Sequence, residues 1–300
     1  MPAVLPDYVT ELLKQHTDPR ATFTTSSASA GLLVSPSTSD QRYLFKQAKG
    51  DATQLVGEAE SLRRINEGCE GVAPLLLGSG EDEEGTRWML SEWHDLSTIP
   101  SSEQARLAEL LAEMHLASPP PGTKFGLPVT TCCGVTRMDN TEEESWSTFY
   151  SERRIEDMLR RIGDGELSRL GKELQKRVIP ALLDKLDVKP SLLHGDLWSG
   201  NARYSKNRDA PITFDPSSWY GHSEADLGIT HMFGGFSPAF YERYHELVPK
   251  TEPVEEYEQR QQLYELFHHA NHTLMFGGSY KSGTISLMEK LLSWADEKGL

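Results

Sequence analysis

The chain has 300 residues, of which 37% are hydrophobic and 25% charged, and its formal net charge is -15 at pH 7. This length suits roughly two domains with buried cores, and no apolar run is long enough to span a bilayer. The negative charge repels phosphate backbones, which disfavours nucleic acid as a partner. The composition therefore predicts a globular protein that binds neither nucleic acid nor membranes.

The expected location is cytoplasmic. The N-terminal stretch lacks the basic and then apolar segments of a secretory signal. The 3 cysteines, Cys69, Cys132 and Cys133, are odd in number and form no CxxC pair. We therefore expect reduced thiols, and a redox role for the adjacent pair is disfavoured.

The first third of the chain reads as mixed sheet and helix. Strands are predicted where branched and aromatic residues are frequent, at 31–35, 42–47 and 87–93. A helix is predicted between the last two strands, because Asp51 and Gln54 can form a capping box and apolar residues then recur at helical spacing as far as Gly68.

A domain boundary is predicted after residue 95, because a proline and several serines break the periodicity between 94 and 102. The two domains would span residues 1–95 and 96–300. Helical periodicity dominates the second domain, with helices predicted at 103–117, 141–162, 166–186, 254–275 and 284–297. The sequence thus predicts an α+β fold in which a small sheet-rich lobe precedes a larger, mainly helical lobe.

The stretch 191–204, SLLHGDLWSGNARY, places polar residues directly after a short apolar strand. Phosphoryl transfer needs a carboxylate that orients and deprotonates the attacking hydroxyl, and a metal ligand a few residues later. His194, Asp196 and Asn201 have the spacing that kinases use for these tasks. Asp215, which follows the apolar run ITF, is a candidate for a second Mg²⁺ ligand.

The same chemistry needs a lysine on a strand of the small lobe and a glutamate on the following helix. Lys46 lies in a predicted strand, and both Glu58 and Glu60 lie on the helix after it. Asp196, Asn201 and Asp215 follow in the order of a kinase.

Three other features receive structural interpretations. His194 is expected to hold the segment HGDLWSGN, called the catalytic loop below, in place. The reason is that phosphoryl transfer requires little proton transfer by the protein. Asp226 is expected to brace that loop or to cap a helix. The histidines of HHANH (268–272) are expected to pack or to lie on the surface, since they lack an intervening glutamate and a nearby third ligand for zinc.

The segments LLHGDLWSGN, ITFDPSSWYGHSEADLG and YLFK…LVGEAESLRRI resemble the fructosamine/ketosamine-3-kinase family, a branch of the protein-kinase-like fold related to the aminoglycoside and choline phosphotransferases. The resemblance covers about residues 8 to 295. Its most specific element is Trp198, because related phosphotransferases share HGD and the later asparagine but usually not this tryptophan. The resemblance implies two lobes, the first binding ATP and the second binding the substrate.

This resemblance also implies roles for the polar residues. Asp196 would be the base toward the sugar 3-hydroxyl, and Asn201 and Asp215 would bind Mg²⁺. Lys46 would hold the ATP phosphates. Glu58, which fits the family pattern as GEAESL, would pair with Lys46.

The walls of the two binding sites follow from the same resemblance. Ser91, Glu92 and Trp93, within the segment 91–95, would form the hinge that contacts adenine through backbone groups. Trp198 would form a wall of the sugar pocket. The carrier of the sugar needs room, so this pocket should open to solvent on the side away from ATP.

The implied reaction is ATP-dependent phosphorylation of a ketoamine, formed when a sugar has reacted with a protein lysine or a small amine. Phosphate at the 3-position makes the adduct unstable, so the amine is regenerated. The expected partners are accordingly ATP and glycated proteins or small amines.

Two departures from related kinases are visible. The loop expected over the phosphates, 24–34, has one glycine, so backbone N–H groups approach phosphate less freely and its serines would donate hydrogen bonds instead. Asp215 is followed by Pro-Ser and no Ala-Pro-Glu segment follows, which disfavours a regulated protein kinase.

Two alternatives to the ketoamine kinase stay open. One is a different small-molecule kinase of the same fold, of the aminoglycoside or choline type. The other is a non-catalytic module that binds nucleotide, which the glycine-poor loop favours and the retained base and metal ligands disfavour.

Overall fold

The computed structural model describes residues 4–300, and its N-terminal part is built on one antiparallel sheet. The sheet has 5 strands in the order β1, β2, β3, β5, β4. The strands are β1 (Phe23–Ala28), β2 (Gly31–Pro36), β3 (Arg42–Ala48), β4 (Leu76–Glu81) and β5 (Arg87–Trp93). Burial alternates along β3, where Tyr43 and Phe45 are buried, because successive side chains of a strand point to opposite faces. Both pack with Val34 and Leu90 in a small core of their own.

Two helices accompany this sheet. Helix α1 (Asp7–His16) buries Val9 and Leu13 in the small core. Helix α2 (Thr53–Gly68) buries Leu62 and Ile65, which belong to the larger core that extends through the helical part. Helix α2 therefore connects the packing of the two parts of the molecule.

The predicted capping box at the start of α2 is wrong. The N-cap residue is Ala52, because Asp51 lies one position earlier and accepts hydrogen bonds from the N and Oγ1 atoms of Thr53. The side chain of Gln54 donates to the carbonyl of Gly134. A capping box needs the side chain of the N-cap residue itself, and alanine has no atom for it.

The C-terminal part contains short strands that position loops. They are β6 (Leu96–Ser97), β7 (Cys132–Cys133), β8 (Thr136–Arg137), β9 (Ser191–Leu193), β10 (Ala202–Ser205), β11 (Ala210–Thr213) and β12 (Trp219–Gly221). They pair as β11-β10-β6, β12-β9 and β7-β8, all antiparallel. The predicted boundary after residue 95 falls between β5, in the first sheet, and β6, which pairs with β10.

Helices form the bulk of the C-terminal part. They are α3 (Gln104–Leu116), α4 (Trp146–Thr148), α5 (Asp157–Ile162), α6 (Gly165–Glu173), α7 (Ile179–Leu183), α8 (Ala225–Phe233), α9 (Pro238–Leu247), α10 (Tyr257–Phe276) and α11 (Gly278–Glu297). π-Helical segments join α4 to α5 and α6 to α7. Within residues 4–300, no helix combines the length and the apolar character that a bilayer crossing requires.

The observed elements confirm the predicted α+β organisation and correct several details. The three predicted strands correspond to β2, β3 and β5, and β1 and β4 were not predicted. The predicted helix at 141–162 begins only at Trp146, and the one at 284–297 begins earlier, at Gly278. The helix expected near Asp226 is α8, and helix α9 was not predicted.

Candidate active site

The loop after β9 holds His194, Gly195 and Asp196 in a sharp turn. Gly195 has a φ of +82°, and a Cβ atom there would lie 2.1 Å from the carbonyl oxygen of Ser217. Only glycine fits this conformation and this close approach. The turn brings Asp196 out of the strand and onto the wall of a cavity.

Asp226, near the start of α8, braces this turn as predicted. Its carboxylate accepts hydrogen bonds from the backbone N of His194 (2.6 Å) and of Gly195 (2.8 Å), and Nε2 of His115 lies 3.1 Å from Oδ2. Burial by itself would raise the pKa of Asp226. The hydrogen bond and charge of His115, together with the hydrogen bond from the backbone of Gly195, outweigh burial, so the pKa of Asp226 is lowered. A buried carboxylate that is ionised at neutral pH thus fixes the backbone of the loop.

The side chain of His194 is likewise part of the scaffold. Its Nε2 donates to the carbonyl of Phe214 (3.2 Å), and its Nδ1 accepts from the backbone N of Asp196 (3.3 Å). Burial lowers the pKa of His194, so the ring is neutral, and these partners select the tautomer with hydrogen on Nε2.

Asp196 has the properties of a general base. Burial raises its pKa to about 6, with further contributions from the negative charges of Asp215 and Asp226. Asn201 donates from Nδ2 to the carbonyl oxygen of Asp196 (3.0 Å) and to its Oδ2 (3.3 Å). A carboxylate with this pKa is ionised at neutral pH and is basic enough to accept a proton as it leaves a hydroxyl.

Asn201 and Asp215 present oxygen atoms that fit Mg²⁺. Because Nδ2 of Asn201 faces Asp196, Oδ1 is the atom that can coordinate a cation. The backbone N of Phe214 donates to the carbonyl of Asn201 (3.0 Å), which holds the two loops together. Asp215 has a φ of 52°, which is uncommon for a non-glycine residue. Its side chain is 59% exposed. Carboxylate and amide oxygens are the ligands that Mg²⁺ prefers.

Lys46 on β3 pairs with Glu58 on α2. The Nζ atom lies 2.7 Å from Oε1 and 2.9 Å from Oε2 of Glu58, and 3.7 Å from Oδ1 of Asp215. Burial raises the pKa of Glu58 against the opposing effect of the Lys46 ammonium. Glu60, the other candidate, binds Arg63 and Arg64 instead. Lys46 thus has one carboxylate on each side, one on α2 and one after β11.

Two cavities meet at this ion pair. The smaller, about 370 Å³, lies under the first sheet, and the larger, about 660 Å³, lies over the catalytic loop. The two cavities share four of their lining residues, Ala30, Lys46, Glu58 and Asp215. Asp196, Trp198 and Asn201 line the larger cavity. Lys46 and Asp215 therefore lie between the smaller cavity and the part of the larger cavity that contains Asp196.

The predicted hinge lines the smaller cavity through Ser91, Glu92 and Trp93. Part of the hinge backbone already forms hydrogen bonds within the protein. The N of Glu92 donates to the carbonyl of Leu75 (2.9 Å), and the carbonyl of Trp93 accepts from the side chain of Asn207 (3.3 Å). Any contact with a base must therefore use the remaining backbone groups of 91–95.

The glycine-poor loop is a hairpin turn between β1 and β2. Ala28 pairs with Gly31, so Ser29 and Ala30 form the tip, and both residues line the smaller cavity. Ser26 and Ser27, by contrast, lie within β1. Ser29 is therefore the serine whose position suits the expected hydrogen bond to phosphate, in place of the glycine N–H groups that this loop lacks.

Trp198 stands at the mouth of the larger cavity and is 38% exposed. It begins a row of aromatic side chains, each about 5 to 6 Å from the next: Trp198, Phe233, His272, Tyr280 and Phe276. Sequence reasoning found only the tryptophan. The other aromatic residues lie near the ends of α8, α10 and α11, in separate segments of the sequence.

The expectation that the histidines of HHANH pack or lie on the surface agrees with the structure at His268, but its premise that no further metal-ligand candidate lies nearby is wrong. His268 is buried as expected, but it has nearby candidates for further metal ligands. Ligating atoms of Cys133, Asp196 and His268 all lie within 4.8 Å of one another. The three residues are far apart in the sequence, so no spacing could have indicated the cluster.

Similarity to known proteins extends over most of the chain. The sequence profile described as fructosamine kinase matches residues 8–294. Ketosamine-3-kinase of Mus musculus is 35% identical over an alignment that covers 81% of this chain and 85% of the mouse protein. Protein-ribulosamine 3-kinase, chloroplastic, of Arabidopsis thaliana is also 35% identical, over 79% of this chain and 71% of the plant protein.

Solved structures agree with the predicted fold. A crystal structure of an inferred fructosamine-3-kinase from Haemophilus somnus 129PT has a TM-score of 0.77 at 25% identity, covering 95% of this chain and 96% of that one. A thermostable mutant of aminoglycoside phosphotransferase APH(4)-Ia has a TM-score of 0.56 at 13% identity, over 96% and 97% of the two chains. At that identity the second likeness shows the fold alone, and the two-lobed protein-kinase-like fold is confirmed.

Proposed function

Since the chain belongs to the fructosamine kinase family, we propose that it transfers phosphate from ATP to the sugar 3-hydroxyl of a ketoamine. The observation that supports this most directly is the meeting of two cavities at Lys46, Glu58 and Asp215, with Asp196 on the far side. Such an arrangement separates a donor from an acceptor and leaves one narrow region for the transferred group. Residues 1–95 would form the ATP-binding lobe and 96–300 the catalytic and substrate-binding lobe.

The smaller cavity would hold the nucleotide. Adenine would lie against Ser91, Glu92 and Trp93, and the phosphates would extend toward Lys46, whose ammonium is held by Glu58. Asn201 and Asp215 would hold Mg²⁺, which when bound neutralises charge on the phosphates. Lys46 and a bound Mg²⁺ would together place positive charge where phosphoryl transfer concentrates negative charge.

The larger cavity would hold the ketoamine, with its 3-hydroxyl at Asp196. The carboxylate would orient this hydroxyl and take up its proton as the oxygen attacks the terminal phosphorus, whose bond to the bridging oxygen breaks so that ADP leaves. Asp226 and His194 keep the carboxylate in position through the backbone. Because the reactants are held rather than activated chemically, positioning and electrostatics supply most of the rate enhancement.

The carrier of the sugar would leave through the mouth of the larger cavity. Trp198 offers a ring face for the sugar, while Phe276 and Val135 on the rim are 65% and 78% exposed. These exposures support the expectation of a pocket that is open away from ATP. Both a small amine and a lysine on a protein surface fit such a mouth, and the mouse and plant relatives are named for ketosamines and protein-bound ribulosamines.

Phosphorylation would lead to deglycation, because a 3-phosphate is a good leaving group and the adduct then releases its amine. The proposed location is cytoplasmic, which the free thiols of Cys69, Cys132 and Cys133 support.

Phosphorus NMR on the products tests this proposal. We expect ATP-dependent formation of a sugar 3-phosphate from fructose- or ribulose-derived ketoamines, followed by release of free amine, with no product from an aminoglycoside or choline. Turnover confined to aminoglycosides or choline would favour the other phosphotransferases. ATP binding without any turnover would favour the non-catalytic module.

A further inference from the structure

A cysteine and a histidine converge on the proposed base from separate elements. Cys133 comes from β7, Asp196 from the loop after β9 and His268 from α10. Their ligating atoms, a sulfur, a carboxylate oxygen and a ring nitrogen, lie within 4.8 Å of one another. Cys133 and Asp196 line the larger cavity, which gives a small ion a path to the cluster.

The histidine of this cluster is in the state that metal ligation requires. His268 is 4% exposed, and its Nδ1 atom is buried without a hydrogen-bond partner among the described residues. Burial lowers the pKa of His268 to about 3, so the ring is neutral and can offer a lone pair. A buried polar atom without a partner is uncommon, and a missing ion is one recognised reason for it.

The thiol faces a negative charge. Burial raises the pKa of Cys133 well above its usual value, and the carboxylate of Asp196 raises it further. A divalent cation bound between Cys133 and Asp196 would instead lower the pKa of the thiol, because its positive charge stabilises the thiolate and the carboxylate together. Two anionic ligands and one neutral imidazole leave a Zn²⁺ complex without net charge, which suits a buried position.

We propose that Cys133, Asp196 and His268 form a binding site for a thiophilic divalent cation, Zn²⁺ in the first place, and that this ion inhibits the enzyme. Sulfur, imidazole and carboxylate ligands are the set that Zn²⁺ takes in proteins, whereas Mg²⁺ takes oxygen ligands. The site is therefore chemically distinct from the proposed Mg²⁺ ligands Asn201 and Asp215.

The geometry requires a modest closure. Ligand atoms at about 2.0 to 2.3 Å from a tetrahedral Zn²⁺ lie roughly 3.3 to 3.8 Å apart. Atoms that lie within 4.8 Å of one another need to approach by at most about 1.5 Å. Because Cys133 and Asp196 line the larger cavity, the fourth position would be open to that cavity and would take water. When Zn²⁺ binds, the S–H bond of Cys133 breaks, the thiolate coordinates the ion, and one proton is released to solvent.

Inhibition follows from the role of Asp196, and this step depends on the proposed function. An oxygen of Asp196 that coordinates Zn²⁺ no longer accepts the proton of the acceptor hydroxyl. Among the described residues, none of the three ligands lines the smaller cavity. Zn²⁺ should therefore compete with the ketoamine and not with ATP, and excess Mg²⁺ should not relieve it.

Metal binding itself gives the first test, because it does not depend on any kinase activity. Co²⁺ added to the metal-free protein should bind at one equivalent, with the near-ultraviolet charge-transfer absorption of a thiolate ligand, and Zn²⁺ should displace it. Cys133→Ser should abolish the absorption, and both Cys133→Ser and His268→Asn should weaken Zn²⁺ binding about tenfold or more. The matched controls are Cys132→Ser and His269→Asn, which change neighbours outside the cluster.

The outcomes separate the possibilities. A Co²⁺ complex of the unmodified protein without thiolate absorption overturns the site, whether or not the variants fold. Equal loss of binding in Cys132→Ser and Cys133→Ser also overturns it, since the adjacent thiols would then bind the ion together. If Zn²⁺ binds as expected but does not compete with a ketoamine that is turned over, the inhibitory role is wrong. If no ketoamine is turned over, the proposed function fails and the metal site is still decided by Co²⁺.

Discussion

The Nζ atom of Lys46 lies 2.7 Å from Oε1 of Glu58, at the place where the two cavities of the candidate active site meet. Both side chains are largely buried, so each charge needs the other. Glu58→Gln keeps the shape and removes one charge, which frees Lys46 from its position at the phosphates. We expect kcat/KM for ATP to fall by about tenfold to a hundredfold.

The matched control for this prediction is Glu60→Gln. Glu60 lies on the same helix but binds Arg63 and Arg64, so its loss should leave kcat/KM for ATP within about twofold. Similar kinetics for both variants would show that the Lys46–Glu58 pair has no special part in nucleotide use.

Asp226→Asn tests the brace under the catalytic loop. An amide has only one oxygen, so its NH₂ group must face the backbone N–H of either His194 or Gly195, and two donors cannot hydrogen-bond each other. We expect the free energy of unfolding to fall by about 2 to 4 kcal/mol, measured by denaturant titration, and kcat to fall with it. Asp187→Asn, at an exposed position, should change neither; a variant of Asp226 as stable as the wild type would contradict the account.

Trp198→Ala tests the assignment of the larger cavity to the acceptor. The ring lines that cavity but not the smaller one, so KM for a ketoamine should rise by roughly fivefold to thirtyfold. KM for ATP should stay within about twofold and serves as the internal control. A rise in KM for ATP instead would mean that the roles of the two cavities are reversed.

His222→Gln tests the acid stability of the helical part. Burial lowers the pKa of His222 to about 4, and its ring bonds Tyr264 and Thr251 as a neutral group. Between about pH 6.5 and 4 the unfolded chain binds one proton more at this residue, so stability falls as the pH falls, by up to about 1.4 kcal/mol per pH unit. The variant should be less stable at pH 7 by about 1 to 2 kcal/mol but should lose stability less steeply on acidification. The free energy of unfolding of both proteins should be measured from pH 7 to 4. An equal loss in the wild type and in His222→Gln would contradict this prediction.

The sequence was most informative where local chemistry is constrained. The placement of Asp196, Asn201 and Asp215 at one cavity was predictable, because a charged residue directly after a buried strand is unusual and the three residues have the spacing expected of a kinase. The alternating strand β3 and the periodic helix α2 were predictable for a similar reason, since burial of one face requires the pattern.

Other parts depend on contacts that no local pattern records. Strands β1 (FTTSSA) and β4 (LLGSGE) are polar or rich in glycine, and they are strands because their neighbours in the sheet offer partners. The aromatic row from Trp198 to Phe276 and the cluster of Cys133, Asp196 and His268 are assembled from distant segments. Their proximity arises from the packing of α8, α10 and the β7-β8 hairpin against the catalytic loop.

The most direct test of the account is the turnover of a ketoamine by Asp196→Asn with saturating ATP and Mg²⁺, measured beside ATP binding. Asparagine keeps the size of the side chain but cannot accept the hydroxyl proton. We expect turnover to fall by roughly a hundredfold or more while the affinity for ATP is retained. A variant that phosphorylates the ketoamine at the wild-type rate would contradict the assignment of Asp196 as the base.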